Sequence, residues 1–375
     1  MTAQPESGRI TPQKTALYDV HEALGARFTD FGGWDMPLKY GSELDEHRAV
    51  RTDAGIFDLS HMGEVRVSGP QASEALDDAL ISRLSAVSIG KAKYSMMCTD
   101  EGTIIDDLIT YRVADDEFLV IPNAGNAGTV AAELVSRTAD YDCTVVDESH
   151  ETSLIAVQGP NAEHVVASLP GVDVHKVADV KYYAFFRGMV GGHDVIIART
   201  GYTGEDGFEI FVSNDGARDV WAAVMDTGAV TPCGLASRDT LRLEAGMPLY
   251  GHELSRSVTP VDAGLGVLAA TTSKESFIGC DALVEAKKNG ATRTLVGLRG
   301  EGRRAARAGY SVLTSDGVDV GEVTSGALSP TLGYPVAMAY VDVGVAEPGT
   351  ELSVDIRGKH YSYTVVQLPF YKREH

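Results

Sequence analysis

The chain has 375 residues, of which 44% are hydrophobic and 23% charged, and its formal net charge is −21. That length exceeds what a single core serves and predicts two or three domains. No run of eighteen apolar residues offers a spanning helix, and so acidic a surface repels phosphate backbones, which argues against nucleic acid as a partner.

The polar stretch Met1 to Gln13 lacks an apolar core and a cleavage site, so it reads as a frayed tail and not a signal peptide. Cys98, Cys143, Cys233 and Cys280 lie far apart with no CxxC spacing. A disulfide framework or zinc site is not expected, and a reducing, cytoplasmic setting fits.

The middle of the chain carries an internal repeat. Val65-Arg-Val-Ser-Gly-Pro-Gln-Ala72 resembles Ile155-Ala-Val-Gln-Gly-Pro-Asn-Ala162, ninety residues on. At the same offset, Asp116 to Val120 matches Asp206 to Ile210, and Asn123 to Gly125 lies over Ser213 to Asp215. Each copy runs from an alternating strand through a Gly-Pro turn into a helical stretch, then into paired strands. The pattern predicts an α+β fold built from two duplicated units, residues 65–125 and 155–215, facing one another across a cavity. They belong to a region spanning 14–284. A helix follows over Ser237 to Ala245, then a linker over Glu285 to Thr292. Short alternating runs beyond it, among them Leu295 to Leu298, Tyr310 to Leu313, Met338 to Val341 and Tyr361 to Leu368, predict an all-β barrel over 293–375.

Three segments offer chemistry. In Gly102-Thr-Ile-Ile-Asp-Asp-Leu-Ile-Thr-Tyr111, two adjacent acids interrupt an apolar strand. Neighbours on a strand face opposite ways, so one carboxylate points inward, which is costly unless it is paired or used. The repeat places Ile196 and Ile197 at the matching positions, as if the fold itself required no acid there. In Arg199-Thr-Gly-Tyr-Thr-Gly-Glu-Asp-Gly-Phe-Glu-Ile210, the glycines allow a close backbone approach and Glu209 stands among apolar residues; a hairpin with two solvated acids is the structural alternative. In Cys233 to Met247, Ser237 reads as an N-cap and Arg238 sits in the first helical turn, against the macrodipole, unless an acceptor lies opposite or Asp239 or Glu244 pairs with it. No GxSxG, HExxH or Walker sequence is present, and the histidines, His47 and His61 among them, read as structural. Covalent and metal catalysis are unsupported; a carboxylate in a pocket is what the chain offers.

These segments, with Phe31-Gly-Gly-Trp-Asp-Met-Pro37, Glu46 to Met62, Lys93-Tyr-Ser95 and Thr324 to Tyr334, resemble the aminomethyltransferase (T-protein) family of the glycine cleavage system nearly end to end. The resemblance implies a three-domain cloverleaf around a folate cavity, with no metal. It implies that Asp106 faces the reacting end of tetrahydrofolate and that Tyr202, Glu209 and Arg238 hold the pterin, with Tyr94 and Asn123 as lining. The implied reaction takes an aminomethyl group from the dihydrolipoyl arm of H-protein and yields 5,10-methylenetetrahydrofolate and ammonia. A folate-dependent demethylase or a non-enzymatic folate-binding protein on the same scaffold are the rivals. Arg303, Arg304 and Arg307, the densest basic cluster, are candidates for contact with an acidic carrier.

Overall fold

A computed structural model describes residues 11–374. Most of the stretch read as a tail lies outside that range, but Gln13 is tied down. Its N–H donates to the Gly33 carbonyl at 2.8 Å and its carbonyl accepts from Asp35 at 2.8 Å.

The duplication is visible as two sheets. In the first, the strands run in the order Ala92–Cys98, Ile104–Ala114, Glu117–Pro122, Val65–Ser68 and Thr144–Asp147. The second repeats the plan with Phe185–Val190, His193–Ala198, Gly207–Ser213, Thr152–Gln158, Gly55–Asp58 and the short Thr231–Pro232. Each sheet has one face under helices. Ala72–Ala79 buries Ala72, Ala75, Leu76 and Ala79, the one-sided stripe that helical periodicity dictates, against Val65, Val67 and Phe118 of the first sheet. Ala162–Ala167 and Asn214–Met225 cover the second sheet in the same way. The opposite faces meet in a shared core that includes Phe57, Tyr111, Ile121, Phe185 and Phe211.

The two units are laced together. Gly55–Asp58 precedes the first unit in sequence yet pairs antiparallel with Thr152–Gln158 of the second, with Asp58 opposite Ile155. Thr144–Asp147 precedes the second unit yet pairs with Val65–Ser68 of the first, with Asp147 opposite Val65. The Gly-Pro turns sit where each exchanged strand arrives. Gly69 has φ 137° and Gly159 φ 136°, a conformation essentially reserved for glycine. A Cβ at Gly69 would lie 2.6 Å from the Asp142 carbonyl oxygen, and one at Gly159 would lie 2.3 Å from that of Asp53.

The gapless offset of ninety does not survive in the strands between. Leu119 pairs with Tyr111, whereas Glu209, ninety residues after Leu119, pairs with Ala198. The spacing there is therefore eighty-seven. The counterparts of Asp106 and Asp107 are His193 and Asp194 at a strand end, not Ile196 and Ile197. Insertions offset one another: the first unit has the longer loop at 99–103, and the second has the longer loop at 199–206. Ile196 and Ile197 are therefore not equivalent to the acid pair and carry no information on whether the fold needs acids there.

Residues 293–366 form a closed barrel in the order Arg293–Gly300, Pro335–Asp342, Asp319–Leu328, Ser311–Leu313, Glu351–Asp355 and His360–Val366. Asp319–Leu328 had no clear signature in the sequence. It carries Gly321 and Gly326, and its register slips between Val323 and Ser325, which breaks the alternation. The expected linker is shorter than the sequence suggested. The helix Cys280–Asn289 occupies most of it, and Lys287 Nζ donates to the Ala269 carbonyl at 2.7 Å, leaving 290–292 as the connection.

Replacing Gly159 with Ala should destabilise the chain by at least about 2 kcal/mol, because the φ and the approach of Asp53 both exclude a Cβ. Urea unfolding measures this, and an unchanged midpoint would count against the lacing as described.

Candidate functional site

A cavity of about 530 Å³ opens at one end of the shared core. Its walls come from the hairpin Arg27–Phe31 and Trp34–Lys39, from both sheets, and from the helix Leu235–Glu244. That helix begins earlier than the sequence suggested. Gly234, not Ser237, is its N-cap; its N–H donates to Glu46 Oε2 at 2.9 Å, and a Cβ there would lie 2.3 Å from the Leu38 carbonyl oxygen. Ser237 is buried inside the first turn and donates to the Gly234 carbonyl at 2.9 Å.

Tyr94, Asn123, Tyr202, Glu209 and Arg238 all line this cavity. Asp106 does not. Its neighbour Asp107 does, so the choice within the acid pair is reversed. Strand alternation explains the outcome. Asp107 shares the cavity face with Ile109 and Tyr111, while Asp106 stands on the other face of the strand, toward the segment Asn123 to Asn126. Asp106 is wholly buried and accepts from Asn123 N at 2.9 Å, Asn123 Nδ2 at 3.0 Å and Asn126 Nδ2 at 2.7 Å. Asp107 accepts from the Tyr94 hydroxyl at 2.9 Å and from Asn123 Nδ2 at 2.9 Å. Burial, and secondarily the charge of Asp107, push the Asp106 carboxyl up to about 7. Burial lifts Asp107 to about 6 against the hydrogen bonds from Tyr94 and Asn123.

On the opposite wall, Glu209 accepts from the Thr200 hydroxyl, and burial raises its carboxyl above the usual range. The Arg238 guanidinium stands 4.8 Å from the centre of the Tyr202 ring. Its Nη1 is buried and has no hydrogen-bond partner. The expected alternatives for it are taken: Asp239 pairs with Arg242 at 2.8 Å, and Glu244 pairs with Arg51 at 2.9 Å. A buried guanidinium N–H left open is expensive unless something else fills the cavity.

His61, expected to be structural, lines the same cavity, and its buried Nδ1 has no partner. Burial, reinforced by the charge of Arg238, lowers it to about 4 and keeps the ring neutral. A lone histidine carries no periodic signal, so no local pattern separates it from the other nine. His47, by contrast, is structural: it bridges Thr240 and Thr331 at 2.7 and 2.8 Å. Arg303, Arg304 and Arg307 are exposed on the loop after Arg293–Gly300; none lines the cavity, and Arg307 donates to the Gly326 carbonyl. Among the described residues, no cluster of three or more His, Cys, Asp or Glu could hold a metal, and no helix is long and apolar enough to cross a membrane.

A family model described as the GCVT N-terminal domain matches residues 17–273, and one described as the glycine cleavage T-protein C-terminal barrel domain matches residues 293–372. The chain belongs to the glycine cleavage T-protein family. It is 62% identical to an aminomethyltransferase of Corynebacterium jeikeium, covering 96% of this chain and 99% of the relative. Identity to the aminomethyltransferase of Streptomyces coelicolor is 53%, over 96% and 98%. The crystal structure of the glycine cleavage system aminomethyltransferase T from Bartonella henselae superposes with a TM-score of 0.90 at 38% identity, over 96% and 98%. The activity expected from the sequence, that of an aminomethyltransferase of the glycine cleavage system, therefore holds. So does the T-protein architecture of mixed α and β units with a closed terminal barrel.

The acid pair has a consequence for stability. A carboxyl raised in the folded chain stabilises it below the ordinary carboxylate value and loses that contribution as the pH climbs through its folded value. Asp107→Asn removes this pH-dependent loss. The stability of the variant relative to the parent should therefore rise by roughly 1–2 kcal/mol between pH 4.5 and pH 8. Urea unfolding at the two pH values tests it, and a difference independent of pH would contradict the raised carboxyl.

Proposed function

We propose that the cavity binds tetrahydrofolate, with the pterin against Tyr202, Glu209 and Arg238 and the reacting nitrogens toward Asp107. The observation that carries this reading is the unpaired, buried Nη1 of Arg238 in a cavity that the Glu209 carboxylate also lines. A guanidinium N–H can donate to the pterin carbonyl, while a carboxylate accepts from its amino and ring N–H edge. The open nitrogens of the cavity wall thus match the polar rim of the ligand, and the apolar lining, Leu59, Ile109 and Ile121 among it, suits its flat faces.

The aminomethyl group is proposed to arrive as a thioether on the dihydrolipoyl arm of H-protein. One new bond joins its carbon to N5 and another to N10. The two folate N–H protons leave with the departing thiol and ammonia, giving 5,10-methylenetetrahydrofolate and the reduced arm. Asp107 serves this sequence by orienting the folate and by holding negative charge where the nitrogens become cationic; with its carboxyl raised to about 6, it is also suited to take a proton from N10. Tyr94 and Asn123 fix its two oxygens. The setting proposed is the cytoplasm, and the basic loop of Arg303, Arg304 and Arg307 is proposed as a contact for the acidic carrier.

Asp107→Asn should lower kcat by at least about 100-fold while tetrahydrofolate still binds, and Arg238→Ala should weaken tetrahydrofolate binding by at least about 10-fold. Methylene transfer from loaded H-protein, together with calorimetric titration of tetrahydrofolate, reads both. Near-normal turnover in the first variant would rule out Asp107. Reversing the charge of Arg303, Arg304 and Arg307 together should raise the KM for H-protein; an unchanged KM removes that loop from the interface.

A further inference from the structure

The fully buried acid behind the cavity wall has a use of its own. Asp106 touches neither the cavity nor any positive charge. An unpaired carboxylate in a dry site is costly, and its own three hydrogen bonds could have been made by an uncharged acceptor such as a backbone carbonyl. All three donors belong to one short segment, Asn123 to Asn126, where the strand Glu117–Pro122 hands over to the helix Ala127–Arg137. The central member of that segment faces both ways. The Asn123 side-chain amide donates to Asp106 Oδ1 at 3.0 Å and also to Asp107 Oδ1 at 2.9 Å and the Asp107 carbonyl at 2.9 Å. One –NH₂ group thus spans the two acids, through the sheet, from the helix side to the cavity side.

We propose that Asp106 is a positioning residue: it holds the Asn123 amide against Asp107, the carboxylate that faces the folate. This rests on the proposed placement of the reacting nitrogens at Asp107. The aim of Asp107 Oδ1 is set by Asn123, whose main-chain N–H and side-chain –NH₂ are both anchored on Asp106. Asn126 takes part by donating to Asp106 Oδ1 at 2.7 Å, which fixes the oxygen that Asn123 Nδ2 also meets.

The test is the split of kcat from KM for methylene transfer in Asp106→Asn and, separately, in Asn126→Ala, which leaves both acids and Asn123 in place, with calorimetric titration of tetrahydrofolate beside it. In Asp106→Asn, kcat should fall by about 10-fold or more while the KM values and the tetrahydrofolate affinity of the folded protein stay near the parent's. In Asn126→Ala, kcat should fall by less, because Asn123 still meets Asp106. A purely structural role would lower the melting temperature and the amount of active protein and leave kcat per folded, folate-binding molecule unchanged. An unchanged kcat in folded Asp106→Asn protein, or in Asn126→Ala should the first fail to fold, overturns the proposal. If Asp107→Asn itself keeps near-normal turnover, the reading of the site is at fault instead, so the two failures are told apart.

Discussion

The reciprocal exchange of strands is the constraint on which the rest of the molecule depends. Gly55–Asp58 and Thr144–Asp147 each complete the sheet of the other unit, so the sheets cannot separate or slide without breaking main-chain ladders. A cavity between two independently folded units would be an interface held by side chains and free to breathe. Here it is bounded by shared hydrogen bonding and a common apolar core of Phe57, Tyr111, Phe185 and Phe211. Groups drawn from different units, Asp107 from one and Glu209 from the other, are thereby held at fixed separation across a pocket that is rigid before any ligand enters. Such pre-organisation is what positional catalysis requires.

The site also shows how one scaffold, used twice, came to carry different chemistry on its two walls. The first unit contributes the acid pair beyond the longer loop at 99–103, and the second contributes Tyr202 from the longer loop at 199–206. The chemistry lies next to these departures from symmetry. The shared elements supply the frame. Arg238 comes from neither unit but from the helix Leu235–Glu244, which packs on the strand Trp34–Lys39 and on the terminal barrel, and its open Nη1 completes the polar lining.

Much of this was legible in the chain. The Gly-Pro turns at Gly69 and Gly159 gave away the duplication because the φ they need is restricted to glycine, which leaves a fixed mark in sequence. The barrel strands from Pro335–Asp342 to His360–Val366 showed through their alternation; the acid pair, Glu209 and Arg238 stood out as charges among apolar neighbours, and Tyr94, Asn123 and Tyr202 came from the family resemblance. Three things were not legible. Strand exchange leaves no trace in local periodicity, since pairing partners are not encoded in the strand itself. The choice between Asp106 and Asp107 depends on which face of one strand meets the other sheet, and the register slip between Met97 and Cys98 moves the parity just ahead of the pair. The start of the helix at Leu235 was hidden because its cap is provided from afar by Glu46, not by a local side chain.

The lacing has a consequence for how the polypeptide is made. While the ribosome is still adding residues before Thr144, the first unit lacks its edge strand, and Gly55–Asp58 has no partner because Thr152–Gln158 does not yet exist. The first sheet can close once Thr144–Asp147 has been made, but Gly55–Asp58 stays unpaired until Thr152–Gln158 follows. A nascent chain of nearly half the final length thus carries an apolar strand unpaired until the second sheet is made. The lacing that makes the finished cavity rigid therefore leaves an unpaired strand edge exposed during synthesis for longer than the compact final form would suggest.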